Sequence, residues 1–155
     1  MKSIIFSLIV LGVLIGVVLF INSRSKAGKI TNKNLSGCRI RPNCVSSQAS
    51  RSHYIKPLYY FGPHTLDHII KFLQEHYLVR VVTRQEEYVH LVVTTPRLRF
   101  KDDLEFLAKP KEGLVEIRST SRVGYWDIDV NRKRLERLRA YCKAKFGPQP
   151  VKNVD

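Results

Sequence analysis

Residues 100–123 read FKDDLEFLAKPKEGLVEIRSTSRV, with side chains of alternating character on both sides of a short turn. Phe100, Leu104 and Phe106 share one alternating register with Asp102, and a second alternating run extends from Val115 to Val123. Such a period of two indicates β-strands, because successive side chains of a strand point to opposite faces. Lys111-Glu112-Gly113 lies between the runs and is typical of a turn. The stretch therefore predicts two antiparallel strands.

The flanking sequence extends this hairpin into a larger α+β unit. Two further strands are predicted upstream, at Val79–Arg84 and around Val89–Val93, and short connections imply an antiparallel meander. Apolar residues at helical spacing predict one helix over 66–77, and a second over 130–146 that Asp129 can cap. The predicted fold class is α+β: an N-terminal transmembrane helix, then a four-stranded antiparallel sheet meander flanked by two helices.

The N-terminal segment predicts a membrane anchor. Residues 4–21 read IIFSLIVLGVLIGVVLFI without a charge, and 18 helical residues span about 27 Å, close to the bilayer hydrocarbon thickness. A cleaved signal peptide is the alternative, but no small-x-small cleavage pattern follows the run. We expect an anchor at 1–21, a flexible basic tether at 22–37, one α+β domain at 38–148 and a disordered tail at 149–155.

The chain is strongly basic, with 27 Lys/Arg against 13 Asp/Glu and a formal net charge of +14. Residues 1–34 hold five of the basic residues and no acidic one, so the remainder is basic in its own right. Such charge favours anionic partners, here an anionic lipid or envelope polymer, although it can also serve solubility alone. Nucleic acid is not favoured, because the basic last helix lacks a DNA-reading motif.

Several motifs together resemble the domain-of-unknown-function family 1499. They are PNCVSSQA at 42–49, DDLEF at 102–106, RSTSRVGYWD at 118–127 and NRKRLE at 131–136. The resemblance covers about residues 38–142 and implies an α+β domain, usually exported or membrane-associated in bacteria, with no established activity. One departure is Asp129, where the family usually has Gly.

Compartment is predicted from two signals that disagree. The basic residues after the anchor alone would place the domain in the cytoplasm. Short N-terminal anchors commonly direct export, and the five residues between Cys38 and Cys44 can close a disulfide loop outside the cytoplasm; two free thiols are the alternative. We expect a single-pass protein of the bacterial inner membrane with a periplasmic C-terminal domain.

Candidate ligand-binding residues concentrate near the hairpin and the turn that follows it. Alternation places Asp102 on the apolar face with Ser119 and Ser121, and a buried carboxylate requires a partner. Ion pairing and helix capping within the set are the structural alternative to ligand binding. The full set is Asp102, Arg118, Ser119, Ser121, Arg122, Asp127, Asn131 and Arg132.

Function is predicted less sharply than fold. No nucleophile elbow, P-loop or dinucleotide fingerprint occurs, and the five histidines lack a trusted metal-ligand spacing, so neither cofactor nor metal is expected. The leading hypothesis is a non-enzymatic binding or accessory domain for anionic envelope components. The alternative is a hydrolase-like envelope enzyme that uses Asp102, Ser121 and Asp127 in a polar pocket.

Overall fold

The structure, a computed structural model, describes residues 2–24, 27 and 34–147. The predicted tail at 149–155 and half of the predicted tether lie outside the described residues. Helix α1 (Lys2–Ser23) is long and apolar enough to cross a membrane, with a mean hydropathy of 3.2 over its most apolar window and none of that window buried.

The rest of the described chain forms an α+β unit. Its elements are β1 (Cys44–Ser46), β2 (Leu58–Tyr59), α2 (Thr65–His76), β3 (Leu78–Arg84), β4 (Tyr88–Thr94), β5 (Lys101–Lys109), β6 (Leu114–Ser121) and α3 (Val130–Phe146). Strands β3 to β6 pair consecutively and antiparallel. The α+β class and this meander are confirmed.

The predicted count of four strands is wrong, because the sheet has six. Its order is β1-β6-β5-β4-β3, and β2 also pairs with β6. Both additional strands come from residues 38–64, the segment before α2, which we call the arm. Both pair antiparallel with the edge of β6 that β5 leaves open. They have three and two residues, too few to show the alternation by which strands are recognised in a sequence.

Helices α2 and α3 lie on one face of the sheet and form the main core with it. Leu104, Phe106 and Ile117 of the central hairpin are fully buried there, against Leu73 of α2 and Leu135 of α3. Full burial of each such side chain stabilises the fold by about 1.5–3 kcal/mol. The hairpin is thereby fixed in register against α3, whose N-terminal turn carries several of the candidate residues.

The opposite face of the sheet is buried as well over strands β4 to β6, whereas β3 at the edge is largely exposed. Leu35 is 5% exposed and packs in a small cluster with Tyr88 and Leu107. The sequence places Leu35 in a flexible tether because its neighbours are polar. The structure instead makes it part of the folded unit, since its apolar side chain covers part of this face.

Candidate functional site

Five polar side chains converge between the sheet and α3, and we call them the helix-side cluster: Asp102, Ser119, Ser121, Asn131 and Arg134. Arg134 donates to the Asp102 carboxylate at 2.7 Å and to the Asn131 side-chain oxygen at 3.0 Å. That oxygen also accepts from the Ser119 hydroxyl, and the Asn131 amide donates to Ser121 at 3.0 Å. All five are buried, Asn131 completely. The cluster is sealed from solvent.

The turn before α3 is held by Asp127. Its carboxylate accepts the backbone N–H groups of Asp129 and Asn131 at 3.1 and 3.0 Å, which satisfies donors at the helix N-terminus. Asp129 itself makes no side-chain cap and has a φ of 59°, in the left-handed region that favours glycine. The prediction that Asp129 caps the helix is therefore wrong. The positive φ at this position also explains why the resemblance leads us to expect glycine there.

A second buried network occupies the opposite face of the same two strands, and we call it the second-face cluster: Tyr88, His90, Asp103, Glu105, Arg118 and Arg122. Arg122 donates to both oxygens of Asp103 at 2.9 and 2.8 Å, and a ring nitrogen of His90 lies 2.8 Å from the same carboxylate. Glu105 accepts hydrogen bonds from Arg118 and from the Tyr88 hydroxyl. Buried charges are tolerated when they are paired and hydrogen-bonded in this way.

The second-face cluster also holds the end of α1. Arg122 donates to the carbonyl oxygens of Asn22 and Ser23 at 3.3 and 2.9 Å, where the last carbonyls of a helix carry partial negative charge. The Asn22 side chain accepts from the backbone of Lys101 and donates to that of Arg99. Helix α1 is thus joined directly to the sheet.

The eight candidate residues are divided among three places rather than brought into one pocket. Asp102, Ser119, Ser121 and Asn131 belong to the helix-side cluster, whereas Arg118 and Arg122 lie on the other face. Asp127 and Arg132 line a small cleft of about 190 Å³ near the start of α3. Arg132 uses its guanidinium on backbone carbonyl groups of the arm, those of Tyr54 and Ser52.

The partners of these residues were missed in the sequence. Asp103 and Glu105 are two apart on β5, and Arg118 and Arg122 are four apart on β6, so the hairpin register brings opposite charges together. That spacing is visible in the sequence. Its significance depends on burial of the second face, and alternation alone does not show that both faces of a sheet are covered.

An open cavity of about 370 Å³ lies between the arm and the C-terminal half of α3. We call it the basic cavity; its lining residues are Lys56, Leu58, Tyr59, Phe61, Arg139, Cys142, Lys143 and Gly147. Three of them are cationic and none is acidic, whereas the smaller cleft is lined by both Asp127 and Asp129. An anion is therefore favoured in the basic cavity over the smaller cleft.

The three cysteines occupy two kinds of environment, a disulfide and a buried thiol. Cys38 and Cys44 are joined by a disulfide with a Cα–Cα distance of 5.6 Å. Cys142 is a buried free thiol, and burial raises its pKa to about 11, so it is a weak nucleophile at neutral pH. Within residues 2–24, 27 and 34–147, no three His, Cys, Asp or Glu side chains are grouped as metal ligands.

Replacing Arg134 by Met tests whether the helix-side cluster is sealed. The change leaves the Asp102 carboxylate buried without its cation, so we expect a loss of about 3–5 kcal/mol in the free energy of unfolding. Adding Asp102→Leu removes the stranded charge and should restore most of the loss. The measurement is urea unfolding of the full chain in mild detergent.

Arg137→Met is the matched control, because Arg137 is exposed on the same helix and should change stability by no more than about 0.5 kcal/mol. A cost for Arg134→Met no larger than that of the control would show that Asp102 is solvated.

The second-face cluster predicts a stability change at alkaline pH. Burial, together with the neighbouring Glu105 carboxylate, raises the pKa of Tyr88 above its usual value. Above about pH 10 an unfolded tyrosine loses its proton while the folded one keeps it, so Tyr88 contributes stability below that pH and loses it above. The slope from this group is at most about 1.4 kcal/mol per pH unit.

Tyr88→Phe should remove that contribution, so its unfolding free energy should fall less steeply than that of the parent chain as pH rises above 10. Identical slopes, measured by urea unfolding at successive pH values, would contradict a shielded Tyr88 hydroxyl.

Comparison with known proteins places this fold in a family. No curated protein and no solved structure matched the sequence. The family described as protein of unknown function DUF1499 matched residues 34–141, a range that contains both buried clusters, the disulfide and the first two-thirds of α3. The match begins beside Leu35, in agreement with the start of the folded unit in the structure. The chain belongs to the DUF1499 family.

Proposed function

We propose that this protein is a membrane-anchored, non-enzymatic binding or accessory domain for anionic envelope components. Helix α1 would be the anchor of a single-pass protein of the bacterial inner membrane, since 22 helical residues extend about 33 Å and suffice to cross a bilayer. The Cys38–Cys44 disulfide supports a periplasmic domain, because disulfides persist in oxidising compartments.

One observation carries the non-enzymatic part of this proposal: the polar groups that an enzyme would use are engaged with one another inside the fold. Asp102 and Ser121 are 3% and 7% exposed, and the Ser121 hydroxyl accepts a hydrogen bond from the Asn131 amide, which is not a base. Asp127 is engaged in helix capping. The hydrolase-like alternative would need at least one of these groups to reach a substrate.

The basic cavity is the proposed binding site. Lys56 and Lys143 are exposed at its rim, while Arg139 is fixed by the carbonyl oxygens of Lys56 and Pro57. Apolar groups from Leu58 and Phe61 form part of the wall. Cations above an apolar wall suit a ligand that carries both an anionic group and an apolar part.

The topology part is tested with reporter fusions at the C-terminus of the full chain in a Gram-negative bacterium. We expect an alkaline phosphatase fusion to be active and a green fluorescent protein fusion to be dark, because the first requires export and the second fails to fold after export through the general secretory route. The opposite pair of results would place the domain in the cytoplasm.

The ligand part is tested with hexyl phosphate, a monomeric probe with one anionic and one apolar end. The full chain in zwitterionic nanodiscs should bind it more tightly than inorganic phosphate or hexanol, measured by calorimetry. Lys56→Glu with Lys143→Glu should weaken binding by about tenfold or more, since two attractive charges become repulsive.

Lys111→Glu with Arg137→Glu makes the same charge change at exposed positions outside the cavity lining. This control should leave the affinity near that of the parent chain at moderate salt. Equal losses in both variants, or no binding of hexyl phosphate by the parent chain, would contradict the proposed site.

A further inference from the structure

Three loops meet at the end of the sheet where α1 is attached, and we call them the α1-proximal loops: residues 38–43, 95–100 and 122–129. The loops are tied together through the backbone, because Ser121 N–H donates to Asn43 at 3.0 Å and Arg122 N–H donates to Lys101 at 2.9 Å. The Asn43 side chain also donates to the carbonyl oxygen of Gly124 at 2.7 Å. These bonds hold the bases of the three loops side by side at one end of the sheet.

The apolar window of helix α1 is not buried against the rest of the described chain. Asn22 is the one buried residue of α1, and the contacts of Asn22 and Ser23 with Lys101, Arg99 and Arg122 fix only its last turn. If α1 crosses a membrane, as in the proposed function on which this inference rests, its C-terminal end lies at the membrane surface. The α1-proximal loops then face the same surface.

The exposed apolar side chains of the domain are concentrated in these loops. Over residues 34–147, five large apolar side chains are more than 60% exposed, and all belong to the α1-proximal loops: Ile40 (92%), Leu98 (69%), Tyr125 (63%), Trp126 (73%) and Ile128 (79%). Ile128 is also held at a φ of 53°, an unfavourable conformation for a β-branched residue. Contiguous exposed apolar groups of this kind mark an interaction surface.

Arginines flank two of these exposed aliphatic residues, Ile40 and Leu98, in the same pattern. Ile40 stands between Arg39 and Arg41, and Leu98 stands between Arg97 and Arg99 in the sequence RLR at 97–99. All four arginines are exposed, and no ion pair between described residues involves them. An apolar tip between two guanidinium groups fits the boundary between acyl chains and lipid phosphates, where tryptophan and tyrosine are also favoured.

We propose that the α1-proximal loops are a lipid-binding surface, seated in the head-group layer of the bilayer that α1 crosses. Trp126, Ile40 and Leu98 enter the upper acyl region, and the flanking arginines bind lipid phosphates. The basic cavity then faces away from the membrane, because Lys143 lies 13 residues along α3 from Val130, or about 20 Å. The domain is thereby held in one orientation on the membrane, with its proposed ligand site exposed.

Trp126 is the single tryptophan of the chain, so its fluorescence tests the proposal without a label. The full chain is reconstituted into vesicles of phosphatidylcholine and phosphatidylglycerol, with and without bromine on the lipid acyl chains. We expect brominated lipids to quench Trp126, and aqueous acrylamide to quench it weakly.

A relocated tryptophan is the control, made by Trp126→Phe with Lys111→Trp. Lys111 is exposed just beyond the opposite end of β5, which runs from Lys101 to Lys109 and is about 26 Å long at the rise of a strand. This tryptophan should be quenched by acrylamide and not by brominated lipid.

The role of the arginines is tested with Arg39→Glu and Arg97→Glu, which should reduce lipid quenching of Trp126 while the chain still floats with the vesicles. Lys111→Glu with Arg137→Glu should leave the quenching unchanged. If both pairs reduce it equally, or neither does, lipid binding through the arginines is overturned.

Flotation separates this inference from the proposed anchor. A chain that floats while Trp126 is quenched by acrylamide and not by brominated lipid keeps the anchor and overturns the lipid-binding surface. Protection from both quenchers would indicate a protein contact, such as a second copy, and would also overturn it. A chain that does not float overturns the anchor and this inference together.

Discussion

The fold depends on the pairing of buried carboxylates with guanidinium groups on both faces of the β5–β6 hairpin. Asp102 and Asp103 are consecutive on a strand, so their side chains must enter opposite faces. Each face must therefore supply a cation or leave a buried charge uncompensated. Arg134 of α3 does so on one face and Arg122 of β6 on the other. The first pair ties α3 to the sheet beside the apolar core, and Arg122 of the second pair also holds the end of α1.

This constraint also determines where charge is left for partners. Once the motif arginines are engaged inside the fold, other cations remain exposed for partners, among them those of the α1-proximal loops and of the basic cavity. The first carries arginines beside exposed apolar tips, and the second carries cations above an apolar wall. The buried arginines of the family motifs thus stabilise the fold, and the proposed contacts with anions are made by basic residues outside those motifs.

Much of the fold could be predicted from the sequence, because a period of two or 3.6 is a local property. Strands β3 to β6 and helices α2 and α3 follow from such periods. Strands β1 and β2 do not, since two or three residues have no measurable period, and Leu35 gives no sign of packing among polar neighbours. The grouping of the candidate residues could not be predicted in this way, because the pairing of Arg118 with Glu105 depends on strand register and on burial of the second sheet face, and neither is a local property of the sequence.

Exchange of the guanidinium Hε protons with water reports whether the arginines of the two buried clusters are sealed inside the fold. In nitrogen-15 spectra of the full chain, the Hε protons of Arg118, Arg122 and Arg134 should exchange much more slowly than those of the exposed Arg80 and Arg137. Slow exchange at all three positions would support a structural role for both clusters. Exchange as fast as at the exposed arginines would contradict that structural role and would favour a ligand site at these residues.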